Sequence, residues 1–203
     1  MTGILIEGVT GAGKSETLRA LIQHSGFSNL LDKGRVFNED ETFGEFMSEI
    51  QTPGVPSRHH FRRLENVLTQ LERLDQQSGF VLERFHLSYY ALLPDWDLFA
   101  EIDDRLSRLN CLTVLLHIPE EELEARCLDR DDRAATTWLA DMVAHFGSRE
   151  AALEAVVQST RRRNAAARRS SLRLREIDTG TRDWKAYANE IVKEWSALCN
   201  GLV

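Results

Sequence analysis

Eight residues near the amino terminus have the types and the spacing needed to bind a phosphate group. Residues 8–15 read Gly-Val-Thr-Gly-Ala-Gly-Lys-Ser and fit the pattern GxxxxGK(S/T) at every fixed position. They directly follow an apolar run at 3–7 and directly precede a helical pattern, which is the context that this motif requires. The motif and its context together predict a phosphate-binding loop.

Each residue type in this loop suits the chemistry. Glycines let several backbone N–H groups converge on one anion, without a Cβ in the way, at the positive end of the following helix. Lys14 adds a mobile cation between β- and γ-phosphates, and the Ser15 hydroxyl is an oxygen ligand of the kind that Mg²⁺ prefers. A glycine-rich turn with an exposed lysine does not explain Lys-Ser at this spacing. The remaining expected nucleotide contacts are Gly8, Thr10, Gly11, Ala12, Gly13 and Glu16.

An acidic and a basic residue, Glu83 and Arg84, stand at the end of another apolar run. In an open parallel sheet the ligand lies beyond the carboxyl ends of the strands, and we expect this strand to neighbour the one that ends at Glu7. A carboxylate there can hold Mg²⁺ through water or accept a proton, and Arg84 can neutralise the transferring phosphoryl group. The alternative is a surface ion pair at a strand end.

The elements that position these residues follow from the hydrophobic pattern. Short apolar runs alternate with longer amphipathic segments, which predicts βαβ crossovers and a parallel sheet. Several runs are apolar without alternation, as expected where helices cover both faces of a sheet. No repeat or linker divides the chain, so we expect a single α/β domain over residues 1–203. The predicted strands cover residues 3–7, 35–38, 80–83, 112–118 and 172–178.

Composition narrows the function classes. The 203 residues are 42% hydrophobic and carry a formal net charge of −7, which excludes a disordered or collagenous chain and makes nucleic acid an unlikely partner. No apolar run approaches the ~20 residues that cross a bilayer, and no targeting segment precedes the first strand. The three cysteines are scattered and are expected to be reduced thiols. These features predict a cytoplasmic protein with no membrane partner.

The segment LIEGVTGAGKS resembles the start of the thymidylate kinase and deoxynucleoside kinase branch of P-loop kinases. Further along, Glu83–Phe85 stands where that branch carries an acidic residue followed by arginine. Residues 126–133 resemble its lid, and residues 177–179 its adenine-side loop. The resemblance implies a three-layer P-loop NTPase fold, in which a five-stranded parallel sheet is flanked by helices and carries a small lid at about 126–145.

The same resemblance implies an activity. It indicates a kinase that uses ATP and Mg²⁺ as cofactors to phosphorylate a small-molecule acceptor, a nucleoside or nucleoside monophosphate. By analogy it also suggests a homodimer. Arg126 and Arg130 would close the lid over the triphosphate, Thr179 would lie beside the nucleotide, and Ser15 with Glu83 would hold the metal. Interleaved aspartates leave open a second interpretation of the lid arginines, a charged exposed helix end.

Acceptor residues are expected after the second strand and along the following helix. Glu39 fits the position of the branch's general base, while Asp40 could equally cap a helix at 41–50. Thymidylate kinases carry an arginine early in the long helix, predicted here from Ser57 to about Gln77, that meets the monophosphate. The further candidates for acceptor contacts are Phe61 for stacking, Arg62, Arg63, Arg84 and His86.

Two observations leave the function open. The fold and ATP site do not fix the acceptor, so a kinase of another small alcohol is the nearest alternative. The arginines between residues 161 and 175 form the densest basic patch, which a solvated helix face explains but which could also bind an acidic substrate, RNA or a partner. That patch supports a second alternative, an ATP-binding regulatory module without a small-molecule acceptor.

Overall fold

A computed structural model describes residues 2–27, 34–44, 61–74, 78–129 and 133–200. Each predicted strand lies within one residue of its expected bounds. The strands are β1 (Thr2–Gly8), β2 (Arg35–Phe37), β3 (Gly79–Glu83), β4 (Cys111–His117) and β5 (Arg173–Asp178).

The five strands form one parallel sheet in the order β2-β3-β1-β4-β5. Ile6 of β1 pairs with Glu83 of β3, so the strand that ends at Glu83 is the neighbour of β1, as predicted. The chain leaves β1 towards β2 and β3 on one side and later adds β4 and β5 on the other. Such a switch point opens a crevice at the carboxyl ends of the strands. The predicted five-stranded parallel α/β architecture is confirmed.

Helices connect the strands and cover the sheet. Among the described residues, no helix is both long and apolar enough to cross a membrane. A 3₁₀ turn at Glu120–Glu122 and a π-helical turn at Glu124–Leu128 follow β4. The α-helices are α1 (Lys14–Gln23), α2 (Glu39–Thr42), α3 (Arg62–Leu71), α4 (His86–Leu92), α5 (Trp96–Arg108), α6 (Arg133–Phe146), α7 (Arg149–Arg169) and α8 (Trp184–Asn200).

Both faces of the central strand are buried, which explains its uninterrupted apolar sequence. Ile4 and Ile6 pack into a core cluster with α1 and α8, where Trp195 is the largest fully buried side chain. Leu5 points to the opposite face and packs with residues of α3 and α5 such as Leu68. Successive residues of a strand face opposite sides, so a layer of helices is required on each side of the sheet.

The helix after β2 begins earlier than predicted. The side chain of Asn38 accepts a hydrogen bond from the amide of Glu41 at 3.1 Å, and the Glu41 carboxylate accepts one from the amide of Asn38 at 3.2 Å. This capping box makes Asn38 the helix cap, so the interpretation of Asp40 as the cap was wrong. Residues 45–60 lie outside the described residues, as do residues 75–77 at the end of the predicted long helix.

Candidate active site

The loop between β1 and α1 has a backbone that glycine alone can supply at two positions. Gly11 and Gly13 have φ angles of 81° and 85°, in the left-handed region. A Cβ on Gly11 would lie 2.1 Å from the carbonyl oxygen of Arg126, and one on Gly13 would lie 2.3 Å from the Trp184 ring. Gly11 and Gly13 are therefore required both by conformation and by the close approach of Arg126, which follows β4, and of Trp184, which follows β5.

The start of α1 presents free backbone donors. The amide of Thr17 donates to the carbonyl of Gly13 at 2.9 Å, and this is the first hydrogen bond of the helix. The amides of residues 14–16 precede it, so helix geometry gives them no partner within α1. Glu16 offers only its amide here, because its carboxylate pairs with Arg19 on the surface. The loop therefore has the donor arrangement that binds an anion at a helix N-terminus.

Lys14 is enclosed by the loop that it follows. Its side chain is 5% exposed, and Nζ donates to the carbonyl of Val9 at 3.1 Å. Burial, reinforced by the positive charge of Arg84, lowers the pKa of Lys14 from 10.5 to about 7. Burial removes the water that stabilises the ammonium charge of Lys14, and a bound phosphate would stabilise that charge instead.

Ser15 and Glu83 place two oxygen donors side by side. The Ser15 hydroxyl donates to Glu83 Oε1 at 2.7 Å, and the Glu83 side chain is buried at the end of β3. The hydroxyl of Thr42 binds the backbone carbonyl of Glu83 and so ties α2 to the same strand end. In the described part of the chain, no group of three histidine, cysteine or acidic residues could hold a metal. The Ser15 and Glu83 oxygens fit Mg²⁺, which keeps several waters and takes its other ligands from phosphates.

Arg84 turns the backbone sharply as it leaves β3. Its φ angle of 54° is in the left-handed region, which costs a non-glycine residue roughly 1–2 kcal/mol. The turn lets its amide donate to Ile6 at 3.0 Å and brings the guanidinium to Thr10 Oγ1 at 2.7 Å. The Glu39 carboxylate lies 3.2 Å from Nη1, and the guanidinium carbon lies 4.9 Å from the centre of the Phe43 ring. Arg84 therefore links the phosphate loop to the start of α2.

Arg126 closes the opposite side of the loop. It lies on the π-helical turn, a local geometry that often marks functional sites, and its guanidinium donates to the carbonyl of Gly11 at 3.2 Å. It also donates to the hydroxyl of Thr179 at 3.0 Å, and the same hydroxyl donates to the carbonyl of His117 at 2.8 Å. The loop and the end of β5 are thus joined through Arg126. Arg130, the other arginine predicted for the lid, lies outside the described residues.

The predicted acceptor residues divide between the crevice and the core. Glu39 lies at the crevice beside Arg84, and Arg63 approaches the same segment by donating to the carbonyl of Asp40 at 3.2 Å. Arg62 is exposed at the start of α3. Phe61 is buried, with its ring centre 5.8 Å from that of Tyr89, so we assign it to core packing. The stacking surface expected from Phe61 is therefore not presented by the structure.

His86 lies beneath the crevice. Its ring is fully buried, stacks on Phe99 with centres 4.8 Å apart, and has Nε2 3.1 Å from Asp103. Burial would raise the pKa of Asp103, but hydrogen bonds from His86 and Ser170 outweigh it and lower the pKa to about 2. These contacts favour a structural role for His86 over the predicted acceptor contact.

Two buried charged residues at this site were not singled out by the sequence. Glu7, at the end of β1, accepts hydrogen bonds from the amides of Phe85 and Leu87 at 2.8 and 3.1 Å and from the Ser88 hydroxyl at 2.6 Å. Arg163 of α7 is the other, and burial lowers its pKa to about 10. A glutamate inside an apolar strand is rare in proteins, and that was the available signal for Glu7.

No protein-family model and no curated protein matches this sequence. Solved structures do match. The YorR protein of Bacillus subtilis, in complex with phosphorylated GDP, has a TM-score of 0.60 at 14% identity, covering 94% of this chain and 93% of that one. Thymidylate kinase from Candida albicans has a TM-score of 0.58 at 17% identity, covering 98% and 92%. Deoxyadenosine kinase from M. mycoides, with products bound, has a TM-score of 0.55 at 14% identity, covering 97% and 99%.

These similarities extend over nearly the whole of each chain. At such low identity they establish the fold, which this protein shares with thymidylate and deoxyadenosine kinases. The predicted resemblance to that branch of P-loop kinases is confirmed at the level of fold.

Proposed function

We propose that this protein is an ATP- and Mg²⁺-dependent phosphotransferase that phosphorylates a nucleoside or a nucleoside monophosphate. The observation that carries the proposal is the gathering of Lys14, Ser15, Glu83 and Arg84 at the switch point of the sheet. Structural neighbours that are thymidylate and deoxyadenosine kinases support the choice of acceptor class.

The donor nucleotide would be held by the loop and its closing arginine. The amides at the start of α1 bind phosphate oxygens, and Lys14 moves from the carbonyl of Val9 to the outer phosphates. Arg126 and Thr179 mark the side on which the rest of the nucleotide lies. Ser15 and Glu83 would hold Mg²⁺, which would neutralise charge on the phosphates.

Phosphoryl transfer then needs a base and a cation at the acceptor. An acceptor oxygen forms a bond to the terminal phosphorus while the bond from that phosphorus to the leaving diphosphate oxygen breaks. Arg84 lies where it can stabilise the charge on the phosphoryl group, and Glu39, 3.2 Å from Arg84, takes the proton of an acceptor hydroxyl. We assign the base to Glu39 because Glu83, beside Ser15, is taken as the Mg²⁺ ligand. Arg62 and Arg63, at the start of α3, are the candidates for an acceptor phosphate.

The test is phosphoryl transfer to a mixed pool of nucleosides, nucleoside monophosphates and small alcohols. The pool is incubated with ATP and Mg²⁺, and each product is identified by the added mass of one phosphoryl group. We expect a nucleoside or nucleotide product, together with loss of turnover of about 1,000-fold in Lys14→Ala. The matched control is Lys193→Ala, which removes an exposed lysine of α8.

Three results would contradict the proposal or favour one of the alternative functions. Unchanged turnover in Lys14→Ala would exclude this loop as the phosphate site. A product formed only from another alcohol would make the protein a kinase of that alcohol, because the fold does not fix the acceptor. Slow ATP hydrolysis without any phosphorylated product would favour the regulatory module.

A further inference from the structure

The arginines between residues 161 and 175 do not form one basic surface. Most of them are neutralised in exposed ion pairs: Arg161 with Glu120, Arg168 with Glu176, Arg173 with Glu194 and Arg175 with Glu190. The guanidinium of Arg162 donates to a backbone carbonyl of α4, and that of Arg169 lies over the Trp96 ring. The patch that the sequence suggested as a docking surface is therefore largely satisfied within the chain.

Arg163 differs from its neighbours because it faces inwards. It shares a face of α7 with the buried residues Val156, Ser159 and Ala166 and is itself 5% exposed. This stretch of α7 packs against α4 and against the π-helical turn. Both of those elements adjoin the phosphate loop, since α4 follows Arg84 and the turn carries Arg126. Arg163 thus lies on the part of α7 that packs against two elements next to the phosphate loop.

The Arg163 guanidinium lacks the partners that a buried charge needs. Its Nε and Nη1 atoms are buried with no hydrogen-bond partner among the described residues. Glu7 is close enough to stabilise its charge, but the Glu7 oxygens already accept from Phe85, Leu87 and Ser88. The positive charge of Arg84 helps to lower the pKa of Arg163, and the positive charge of Arg163 helps to lower the pKa of Lys14. Three basic side chains therefore lie within electrostatic range of one another, and an anion would complete the hydrogen bonds of the buried Arg163 nitrogens.

We propose that Arg163 is a phosphate-binding residue of this active site, which donates hydrogen bonds from α7 to a phosphoryl group held between Lys14 and Arg84. The inference rests on the proposed function and deepens it. The phosphoryl group comes either from the end of the donor nucleotide or from a phosphorylated acceptor. Either source supplies the dianionic oxygens that a guanidinium binds best.

The experiment compares Arg163→Met and Arg163→Lys with the wild-type protein. Arg161→Met is the matched control, because it removes an arginine of the same helix that pairs with Glu120 at the surface. Calorimetry measures the dissociation constants of ATP with Mg²⁺, ADP with Mg²⁺, and a set of nucleoside monophosphates added alone. The melting temperature of each free variant is recorded in parallel.

We expect Arg163→Met to raise the dissociation constants of phosphate ligands by about 10- to 100-fold, which corresponds to the loss of a hydrogen bond to a charged group. Arg163→Lys should restore part of the lost affinity. The melting temperature of the free Arg163→Met variant should not fall, because a buried cation without partners is removed. A loss for ATP but not for ADP identifies the terminal phosphate of the donor as the ligand. A loss for a monophosphate identifies the acceptor.

A purely structural role gives a different pattern. Wild-type affinities in Arg163→Met together with a lower melting temperature would show that Arg163 stabilises the fold through the buried charge of Glu7, and would overturn the inference. Wild-type affinities with an unchanged melting temperature would overturn it as well. The proposed function fails separately. If the wild-type protein phosphorylates no acceptor but the Arg163→Met variant binds ATP more weakly, the phosphate contact stands without the kinase activity.

Discussion

Two groups of buried charged side chains lie close to each other, and they differ in how many of their hydrogen-bonding atoms have a partner within the protein. Beneath α4, Glu7 accepts three hydrogen bonds, and Asp103 accepts from His86, Ser170 and Ser171. These carboxylates hold together α4, α5 and the turn between α7 and β5. Hydrogen bonds formed on folding satisfy both carboxylates, and we name Glu7, Asp103 and their hydrogen-bond donors the α4 network.

At the phosphate loop the charges remain incomplete. Lys14 has one backbone carbonyl as its hydrogen-bond partner, and Glu83 accepts a single side-chain hydroxyl. Among the described residues, the permanently charged side chains with buried, unpartnered nitrogens are Arg84 and Arg163. Burial of a charge is therefore common to both groups, and the unused hydrogen-bonding capacity distinguishes the site that a ligand would complete.

Among changes to the buried carboxylates, the largest effect should come from removing the charge of Glu83. We expect Glu83→Gln to lower turnover by about 100-fold or more, because the amide no longer supplies an anionic ligand beside Ser15. The free energy of unfolding should change by no more than about 1 kcal/mol, since glutamine can still accept the Ser15 hydroxyl. Steady-state kinetics and urea unfolding measure the two quantities. Turnover close to wild type would remove Glu83 from the metal site.

The reverse pattern should follow from the same change at the neighbouring strand end. We expect Glu7→Gln to lower the free energy of unfolding by about 3 kcal/mol, because two amides lose a charged acceptor and the Ser88 hydroxyl meets an amide group. Turnover per folded molecule should fall far less than in Glu83→Gln. If Glu7→Gln proved stable but inactive, the division between the two groups would be wrong.

The next prediction concerns the pH dependence of stability in the α4 network. The pKa of Asp103 is about 2 in the folded protein against its ordinary value of 3.8, so folding favours its ionised form. Its contribution is present above pH 4 and is lost as the pH falls towards 2. The loss amounts to about 2 kcal/mol at most. Urea unfolding between pH 5 and pH 2 should show this slope, and Asp103→Asn should flatten it; an equal slope in both proteins would assign it to other carboxylates.

The sheet and the strand–loop–helix order around residues 8–15 could be predicted from the sequence because both are set by local patterns. The glycines, Lys14 and Ser15 are fixed by spacing within one loop, and each strand is an apolar run. Glu83 could be placed beside β1 because parallel strands align their carboxyl ends.

The rest depended on packing between elements far apart in the chain. His86 follows Arg84 closely in sequence, but its ring turns towards Phe99 and Asp103 of α5. Arg163 is one of seven arginines between residues 161 and 175, and only the packing of α7 against α4 and the π-helical turn shows that it is buried without partners for Nε and Nη1 within the residues that the structure describes. Spacing along one helix gives a face, but it does not reveal which charge on that face has partners.

The smallest effect is a proton taken up when a nucleotide binds. In the free protein burial and Arg84 hold the pKa of Lys14 at about 7, so Lys14 is largely neutral at pH 8. Bound phosphates stabilise the ammonium form, and binding should therefore take up most of a proton at pH 8 and far less at pH 6. Calorimetry of ATP with Mg²⁺ in two buffers of different ionisation enthalpy measures this number.

A matched variant assigns the proton to its source. Lys14→Met keeps the length of the side chain but removes the titrating group, so any binding that survives should take up no proton at pH 8. The Lys193→Ala variant, altered more than two turns beyond the start of α8, should behave as the wild-type protein does. Equal uptake in Lys14→Met and the wild-type protein would place the proton on another group. In that event Lys14 would already be charged before binding and would belong with the satisfied charges of the α4 network, not with those that wait for a ligand.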